Sequence, residues 1–182
     1  MATLNTTNIK HASSSSNNIV LAADGSCTFP STNTGKILQV VTVLKTDSFS
    51  TSVQVSSTAD VTGLSVNITP SSASSKIMVF ASIDCFTERT NTYNALANLY
   101  LVRDTTRISA KTIRTRIDNS LTTNYLHATG PVNFMHLDSP NTTNQVNYHI
   151  EAACNSGNQT VQVNSVTSQN VNSSITVMEV AA

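Results

Sequence analysis

Four histidines are the residues of this chain most suited to acid–base or metal chemistry. They are His11, His127, His136 and His149. Since His136 and His149 lie in alternating hydrophobic runs, they could face each other across two strands and, with Asp138 or Glu151, imitate a metal cluster. No histidine has a second ligand at the spacing of a zinc motif. We therefore interpret them as hydrogen-bonded polar positions and predict no metal site and no cofactor.

Paired carboxylates about 5 to 9.5 Å apart could cleave a polysaccharide. The candidates for such a pair are Asp84, Glu88, Asp104, Asp118, Asp138 and Glu151. However, the chain has no Trp to line a sugar groove and only five glycines. It also contains no HExxH, GxSxG or glycine-rich phosphate-binding motif. The sequence thus predicts a protein that is not an enzyme.

Half of the ten basic residues lie within one short stretch. They are Arg103, Arg107, Lys111, Arg114 and Arg116. This cluster could form an ionic contact face for an acidic protein surface or an anionic glycan. The alternative, which we favour, is a solvated strand face with ion pairs between subunits. Because the formal net charge is zero and aromatic residues do not alternate with the basic ones, we expect neither nucleic acid nor a membrane as a partner.

Tyrosines offer another route to a binding site, because an aromatic ring covers a sugar ring while its hydroxyl bonds to polar groups. The four are Tyr93, Tyr100, Tyr125 and Tyr148. They are scattered along the chain, so packing in the core or at an interface is the interpretation that we favour.

The elements that must position these residues are short strands. Residues 76–86 show the period-two pattern of a strand, with Ile77, Val79, Ala81, Ile83 and Cys85 on one face. Similar runs occupy residues 36–45, 49–55, 64–69, 95–103, 107–117, 121–127, 131–138, 145–154, 160–164 and 174–180. Turn-forming residues separate them, and only residues 94–102 fit a short helix as well as a strand. The sequence therefore predicts an all-β fold, an antiparallel β-sandwich that is jelly-roll-like.

Residues 1–34 are predicted to form an extended N-terminal arm, and residues 35–182 the sandwich domain. The arm cannot build a core, because a polar linker, SSSSNN at residues 13–18, separates its brief apolar stretches. Residues 19–22 and 27–29 predict a hairpin around Asp24-Gly25. Since an isolated hairpin is marginally stable, we expect the arm to bind a neighbouring protein. Its expected apolar anchors are Leu4, Ile9, Ile19, Leu21 and Phe29.

Three widely spaced cysteines, Cys27, Cys85 and Cys154, give neither a disulfide framework nor a metal pair. We expect them to be reduced, with Cys85 and Cys154 buried as small apolar residues. The first residues lack a charged and apolar leader, and no apolar run is long enough to span a membrane. This pattern is typical of a protein made and assembled in a cytoplasm.

Four segments of the chain resemble virion structural proteins of tailed bacteriophages, especially those of marine and cyanobacterial hosts. The segments are LAADGS at 21–26, TGLSVNITPSS at 62–72, HLDSPNTT at 136–143 and SSITVMEV at 173–180. The resemblance implies a jelly-roll domain that forms a homotrimer, with the N-terminal arm attaching it to the virion. It implies as partners the protein itself and either the major capsid protein or a tail component.

Two functions follow from this resemblance, and both place the protein at the virion surface. We favour a head decoration (cement) protein, which binds the outer capsid surface and stabilises it by bridging neighbouring capsid subunits. The alternative is a tail fibre or receptor-binding protein whose jelly roll recognises a host-surface glycan. We prefer the first because the sequence has no heptad, triple-helical or β-solenoid repeat of the kind that builds a fibre shaft.

Overall fold

A computed structural model describes residues 6–13, 15, 17, 19–28, 36–90, 94–116, 125–155, 157–165 and 171–181. Within these ranges the chain forms strands and turns and no helix. The described residues therefore contain no helix that could cross a membrane. The strands are β1 (Asn8–Ile9), β2 (Ile19–Leu21), β3 (Cys27–Thr28), β4 (Ile37–Lys45), β5 (Phe49–Thr51), β6 (Ala59–Ile68), β7 (Lys76–Thr90), β8 (Asn94–Arg103), β9 (Thr106–Arg116), β10 (Tyr125–Asp138), β11 (Val146–Cys154), β12 (Gln159–Val163) and β13 (Ser173–Val180).

Strands β4 to β13 form two antiparallel sheets. One sheet has the order β6-β11-β8-β9. The other is organised around the long strand β7, which pairs with β10 along one edge and, on its other edge, first with β13 and then with β12. Strands β4 and β5 extend this sheet beyond β13 and β12. The all-β, antiparallel architecture fits the predicted β-sandwich of the jelly-roll type.

The change of partner along β7 falls at Asp84. Strand β13 pairs with β7 up to Ser82, and the pairing with β12 begins at Cys85. The Asp84 N–H instead donates to Ser173 Oγ at 3.0 Å, and its carbonyl accepts from the Asn164 N–H at 3.1 Å. An unpaired buried backbone group costs about as much as a lost hydrogen bond. These two contacts therefore stabilise the junction between the strands.

Alternating side chains from both sheets meet in one core, as the period-two pattern predicts. The β7 side chains Ile77, Val79, Ala81, Ile83 and Cys85 are all buried there. Burial also alternates along β8, so residues 94–102 form a strand and the helical alternative is wrong. The predicted burial of Cys85 and Cys154 is confirmed, and both are free thiols.

Some strand boundaries differ from those predicted. Residues 131–138 and the described part of 121–127 belong to one strand, β10, which continues through Gly130-Pro131 rather than turning there. Proline is tolerated because β10 pairs only with β7 among the described strands, and a missing N–H on a free edge breaks no ladder bond.

Strand β6 begins earlier than predicted, at Ala59, and its register with β11 shifts around Gly63, whose φ is +84°. Strand β5 is shorter and ends at Thr51.

The N-terminal strands form a small sheet of their own, in the order β1-β2-β3. The predicted hairpin is present, since β2 pairs with β3 around Gly25, whose φ is +85°. Strand β1 adds to the free edge of β2 through the pairs Asn8↔Val20 and Ile9↔Ile19. The sequence did not indicate this third strand, because two residues are too few to show an alternation.

Glu179, near the end of β13, holds the loop between β6 and β7 against the sheet. Its carboxylate is buried and accepts hydrogen bonds from the Ser71 N–H (2.7 Å), Ser71 Oγ (2.6 Å) and Gln39 Nε2 (2.6 Å). Burial acts to raise the pKa of Glu179, but the hydrogen bonds from Ser71 and Gln39 outweigh it and lower the pKa to about 2. The ionised form is therefore the one that the fold stabilises.

We expect acid to remove the stability that Glu179 contributes. Because its pKa in the folded state lies below the ordinary value of 4.5, the contribution is complete above pH 4.5 and is lost as the pH falls towards 2. The loss should be on the order of 2 kcal/mol. Urea unfolding at pH 6 and at pH 3 measures it.

The control for this prediction is Glu179→Gln, which keeps the size of the side chain and removes its titration. The variant should unfold more easily than the wild type at pH 6, and the difference in unfolding free energy should shrink at pH 3. An equal difference at both pH values would show that other carboxylates cause the acid sensitivity.

Candidate interaction surfaces

The apolar anchors predicted for the arm are poorly covered by the rest of the chain. Ile9 is 44% exposed and Leu21 is 37% exposed, although both lie in strands. Ile19 is half-buried against its neighbours. Leu4 and Phe29 lie outside the described residues. The arm thus presents apolar side chains that its own small sheet leaves in contact with solvent.

Arg103, the last residue of β8, binds the buried carboxylate of Asp138, which also accepts a hydrogen bond from a buried tyrosine. Its Nη1 lies 2.9 Å from both carboxylate oxygens of Asp138. The Tyr148 hydroxyl donates to Asp138 Oδ2 at 2.7 Å, and Tyr148 is fully buried. Burial and the adjacent Asp138 carboxylate both raise the pKa of Tyr148, so the phenol stays a hydrogen-bond donor. Arg103 therefore belongs to an internal network.

Arg107 lies on the solvent side of the same sheet as Arg103 and is also paired. Its Nε lies 2.9 Å from Glu151 Oε2, and its guanidinium stacks 4.3 Å from the centre of the Tyr100 ring. Burial acts to raise the pKa of Glu151, but hydrogen bonds from Thr58 and Arg107 lower it overall. A partly exposed pair of this kind contributes at most about 1 kcal/mol.

The basic residues of β9 do not share one face of the sheet. Lys111 is paired with the inward-facing Leu99, whereas Arg114 is paired with the outward-facing Leu96, so the two side chains point to opposite sides. Both are exposed, and nothing is described of the Arg116 side chain. The ionic surface predicted for this stretch is thus divided between two faces, and two of its five members are already paired within the chain.

A group of possible metal ligands lies on the solvent side of β6 and β11. Asp60, His149 and Glu151 offer ligand atoms within 4.8 Å of one another. This set shares His149 and Glu151 with the cluster considered from the sequence, but Asp60 replaces His136 and Asp138, which lie on β10 in the other sheet. Glu151 Oε2 is already bonded to Thr58 and Arg107. We interpret the group as a surface ion-pair network.

An exposed apolar surface covers the outer side of the sheet formed by β4, β13, β7 and β10. One row of this surface runs across all four strands as Val40, Met178, Met78 and Leu137, which are paired in register. The next row places Met135 beside Phe80. We call this surface the outer apolar face, and it consists of Ile37, Leu38, Val40, Leu44, Met78, Phe80, Met135, Leu137 and Met178.

The outer apolar face was not predicted from the sequence. Its residues alternate with the core residues of the same strands, as Phe80 alternates with Val79 and Ala81. Because both sides of such a strand are apolar, the pattern alone does not show which side packs against the second sheet. A depression of about 340 Å³ lies on this side of the sheet, between Phe80, Met135 and Thr176. Contiguous apolar surface of this kind marks interaction sites in soluble proteins.

The tyrosines whose side chains are described do not form an exposed sugar site. Tyr148 is fully buried, and Tyr100 is half-buried beneath Arg107. Tyr93 lies outside the described residues, and nothing is described of the Tyr125 side chain. For the two described rings, packing in the core and in an ion-pair network is the observed role.

No protein-family model matches the chain, and no curated protein is significantly similar to it in sequence. Among solved structures, the chain is similar to the VP2 subviral particle of infectious bursal disease virus, with 20% identity, a TM-score of 0.35, and coverage of 79% of this chain and 32% of that one. T=1 particles derived from the same virus give 16% identity, a TM-score of 0.33, and coverage of 79% and 36%. Dimeric latent PorU from Porphyromonas gingivalis gives 8% identity, a TM-score of 0.36, and coverage of 80% and 13%. The chain thus spans at most 36% of the length of these proteins. Because the identities and TM-scores are this low, the function is argued from the chain's own surfaces.

Proposed function

We propose that this chain is a non-enzymatic virion structural protein of a tailed bacteriophage, a head decoration protein that binds the outer capsid surface and stabilises the shell. The observation that carries the proposal is the arm, whose strands expose Ile9 and Leu21. A segment with strand-forming residues and uncovered apolar side chains gains stability by binding to another protein. The resemblance of the four sequence segments to phage virion proteins supports the same conclusion.

The arm's strand edges suit attachment to another sheet. Among the described strands, β1 and β3 each pair only with β2, so each has one edge of unpaired backbone groups. An extended segment of a capsid subunit could pair with such an edge, and the backbone hydrogen bonds would give affinity while apolar anchors give specificity. Burial of each anchor would contribute roughly 1.5 to 3 kcal/mol before the cost of ordering the arm.

Decoration fits the described surface better than glycan recognition by a tail fibre. A sugar site built on tyrosines needs exposed rings beside amide or carboxylate groups, and the described rings of Tyr100 and Tyr148 are covered. The outer apolar face suits contact with protein rather than with a hydrated glycan. The homotrimer implied by the resemblance stays a prediction.

The test is to add gold-labelled protein to virions stripped of it and to image where it binds. We expect full-length protein to cover the head, and a variant lacking residues 1–31 to fold but not to bind, because it has lost the apolar anchors of the arm. Label confined to the tail would contradict decoration and favour the fibre.

A full-length variant separates loss of the anchors from loss of the chain segment. Ile9→Asp with Leu21→Asp places charges on exposed positions of the arm, so the sandwich should melt as in the wild type. Binding to the head should fall roughly tenfold or more if the arm attaches by these side chains. Undiminished binding by this variant and by the truncated one would show that the domain surface attaches the protein.

A further inference from the structure

We propose that the outer apolar face is a self-association surface on which two copies of the chain pack face to face about a two-fold axis. The proposal goes beyond attachment to the virion, because it concerns the purified protein and uses a surface in the domain rather than in the arm. Four observations support it: the residue types of the face, its size, its charge and its shape.

The residue types are those of an interface core. The chain has four methionines, and all except Met1 lie on this face, as Met78, Met135 and Met178. Methionine is enriched in the cores of protein interfaces, and its flexible thioether adapts to an opposing surface. Phe80 adds an aromatic ring at 37% exposure. A solvated sheet face would instead carry polar side chains at these positions.

The size of the face matches what a stable dimer buries. Seven of its side chains are large, apolar and exposed, by fractions between 37% and 74%. Their exposed parts form an apolar patch on the order of several hundred Å², against the ~800 Å² that each partner of a standard interface buries. Thr42 and Thr176 lie in the same row as Phe80 and Met135 and are hydrogen-bonded to each other at 3.0 Å, so a second copy would cover them together with the apolar side chains.

The charge of the face favours a second copy over an oppositely charged partner. None of the nine side chains of the face is charged. Lys76 borders the face at the end of β7, and its Nζ is hydrogen-bonded to Ser139 Oγ at 2.8 Å. In a two-fold contact the same patch meets itself, so any charged cluster would face a like charge. A nearly charge-free face avoids that repulsion.

The shape of the face offers both a protrusion and a recess. Met135 is 74% exposed and is the most exposed of the large apolar side chains of the described chain. It stands beside the depression of about 340 Å³ that Phe80 and Thr176 also line. A two-fold contact centred near Met135 would seat the thioether of each copy in the recess of the other, the arrangement in which hot-spot residues are usually found.

The test is the mass of the full-length protein in solution, measured by sedimentation across a range of micromolar concentrations. We expect a species of twice the 19.4 kDa chain mass. Met135→Glu and Leu137→Glu should each weaken the dimer by roughly 100-fold or more, because a carboxylate would be buried in an apolar contact. Both positions are more than half exposed, so the monomer should fold and melt like the wild type.

The matched control is Thr129→Glu, which introduces the same charge on the same side of β10 but beyond the outer apolar face. This variant should remain dimeric. A wild-type monomer at the highest concentration would overturn the proposal. The homotrimer that the resemblance implies would overturn it too, because three copies cannot share one isologous contact. A dimer that Met135→Glu leaves intact would place the interface elsewhere. None of these outcomes depends on where the protein sits on a virion.

Discussion

Replacing Ile83 with Asp is expected to abolish folding. Ile83 lies in the middle of β7, is fully buried, and points into the core shared by the two sheets. The substitution removes an apolar side chain and puts a carboxylate with no partner in its place, which should cost about 5 kcal/mol or more. Because the free energy of unfolding of a protein is only about 5 to 15 kcal/mol, a loss of this size would leave the variant with little or no stability. Circular dichroism and a thermal melt measure the outcome.

The neighbouring residue provides the control for this prediction. Ser82 is exposed on the opposite side of the same strand, beside the recess of the outer apolar face. At a protein concentration low enough to keep the chain monomeric, Ser82→Asp therefore adds the same group to solvent instead of the core. Its unfolding free energy should stay within about 0.5 kcal/mol of the wild type. A soluble Ile83→Asp protein that melts cooperatively near the wild-type temperature would contradict the burial of this face of β7.

The alternation in β7 shows which part of the fold can be predicted from sequence. Side chains in a strand alternate strictly between two sides, so Ile77, Val79 and Ile83 could be assigned to one face without knowledge of the neighbouring strands. The same argument identified most of the strands of both sheets and the hairpin of the arm. Local patterns therefore predict the elements and the all-β class.

The outer apolar face shows where this reasoning stops. Both sides of β7 carry large apolar residues, such as Val79 on one side and Phe80 on the other. Only the pairing with β10 and β13 shows that Phe80 joins Met135 and Met178 in one continuous exposed surface. Strand order depends on contacts distant in sequence, and these are not encoded in a local period.

The ionic groups show the same limit. The basic stretch was visible as a cluster in sequence, but Arg103 is paired with Asp138, which lies 35 residues away, and Arg107 with Glu151, 44 residues away. Each partner is supplied by a strand whose position depends on the whole sheet. Charge spacing along one strand therefore did not reveal that the two arginines serve internal pairs.

Removing the Asp138 carboxylate should destabilise the protein by about 3 kcal/mol. In Asp138→Ala the buried Tyr148 hydroxyl loses its acceptor at 2.7 Å, and the Arg103 guanidinium loses both of its 2.9 Å contacts. The cost comes mainly from the Tyr148 hydroxyl, which is left unsatisfied without access to solvent. Arg103 contributes less, because its side chain is 26% exposed and keeps the Ser139 carbonyl at 3.5 Å. The midpoint of urea unfolding should fall with an unchanged slope.

Two further variants distinguish a network from a single bond. Tyr148→Phe removes one donor and leaves the Arg103–Asp138 pair, so it should cost only about 1 kcal/mol. The double variant Asp138→Ala, Tyr148→Phe should be less destabilised than the sum of the two single changes, because the tyrosine hydroxyl is no longer present to be left unpaired. Strict additivity would show that the three groups act independently. The control Asp60→Ala removes an exposed carboxylate on the solvent side of β6 and should change the unfolding free energy by less than about 0.5 kcal/mol. This small change would show that the effect of Asp138→Ala comes from the buried position of the carboxylate and not from the loss of a negative charge.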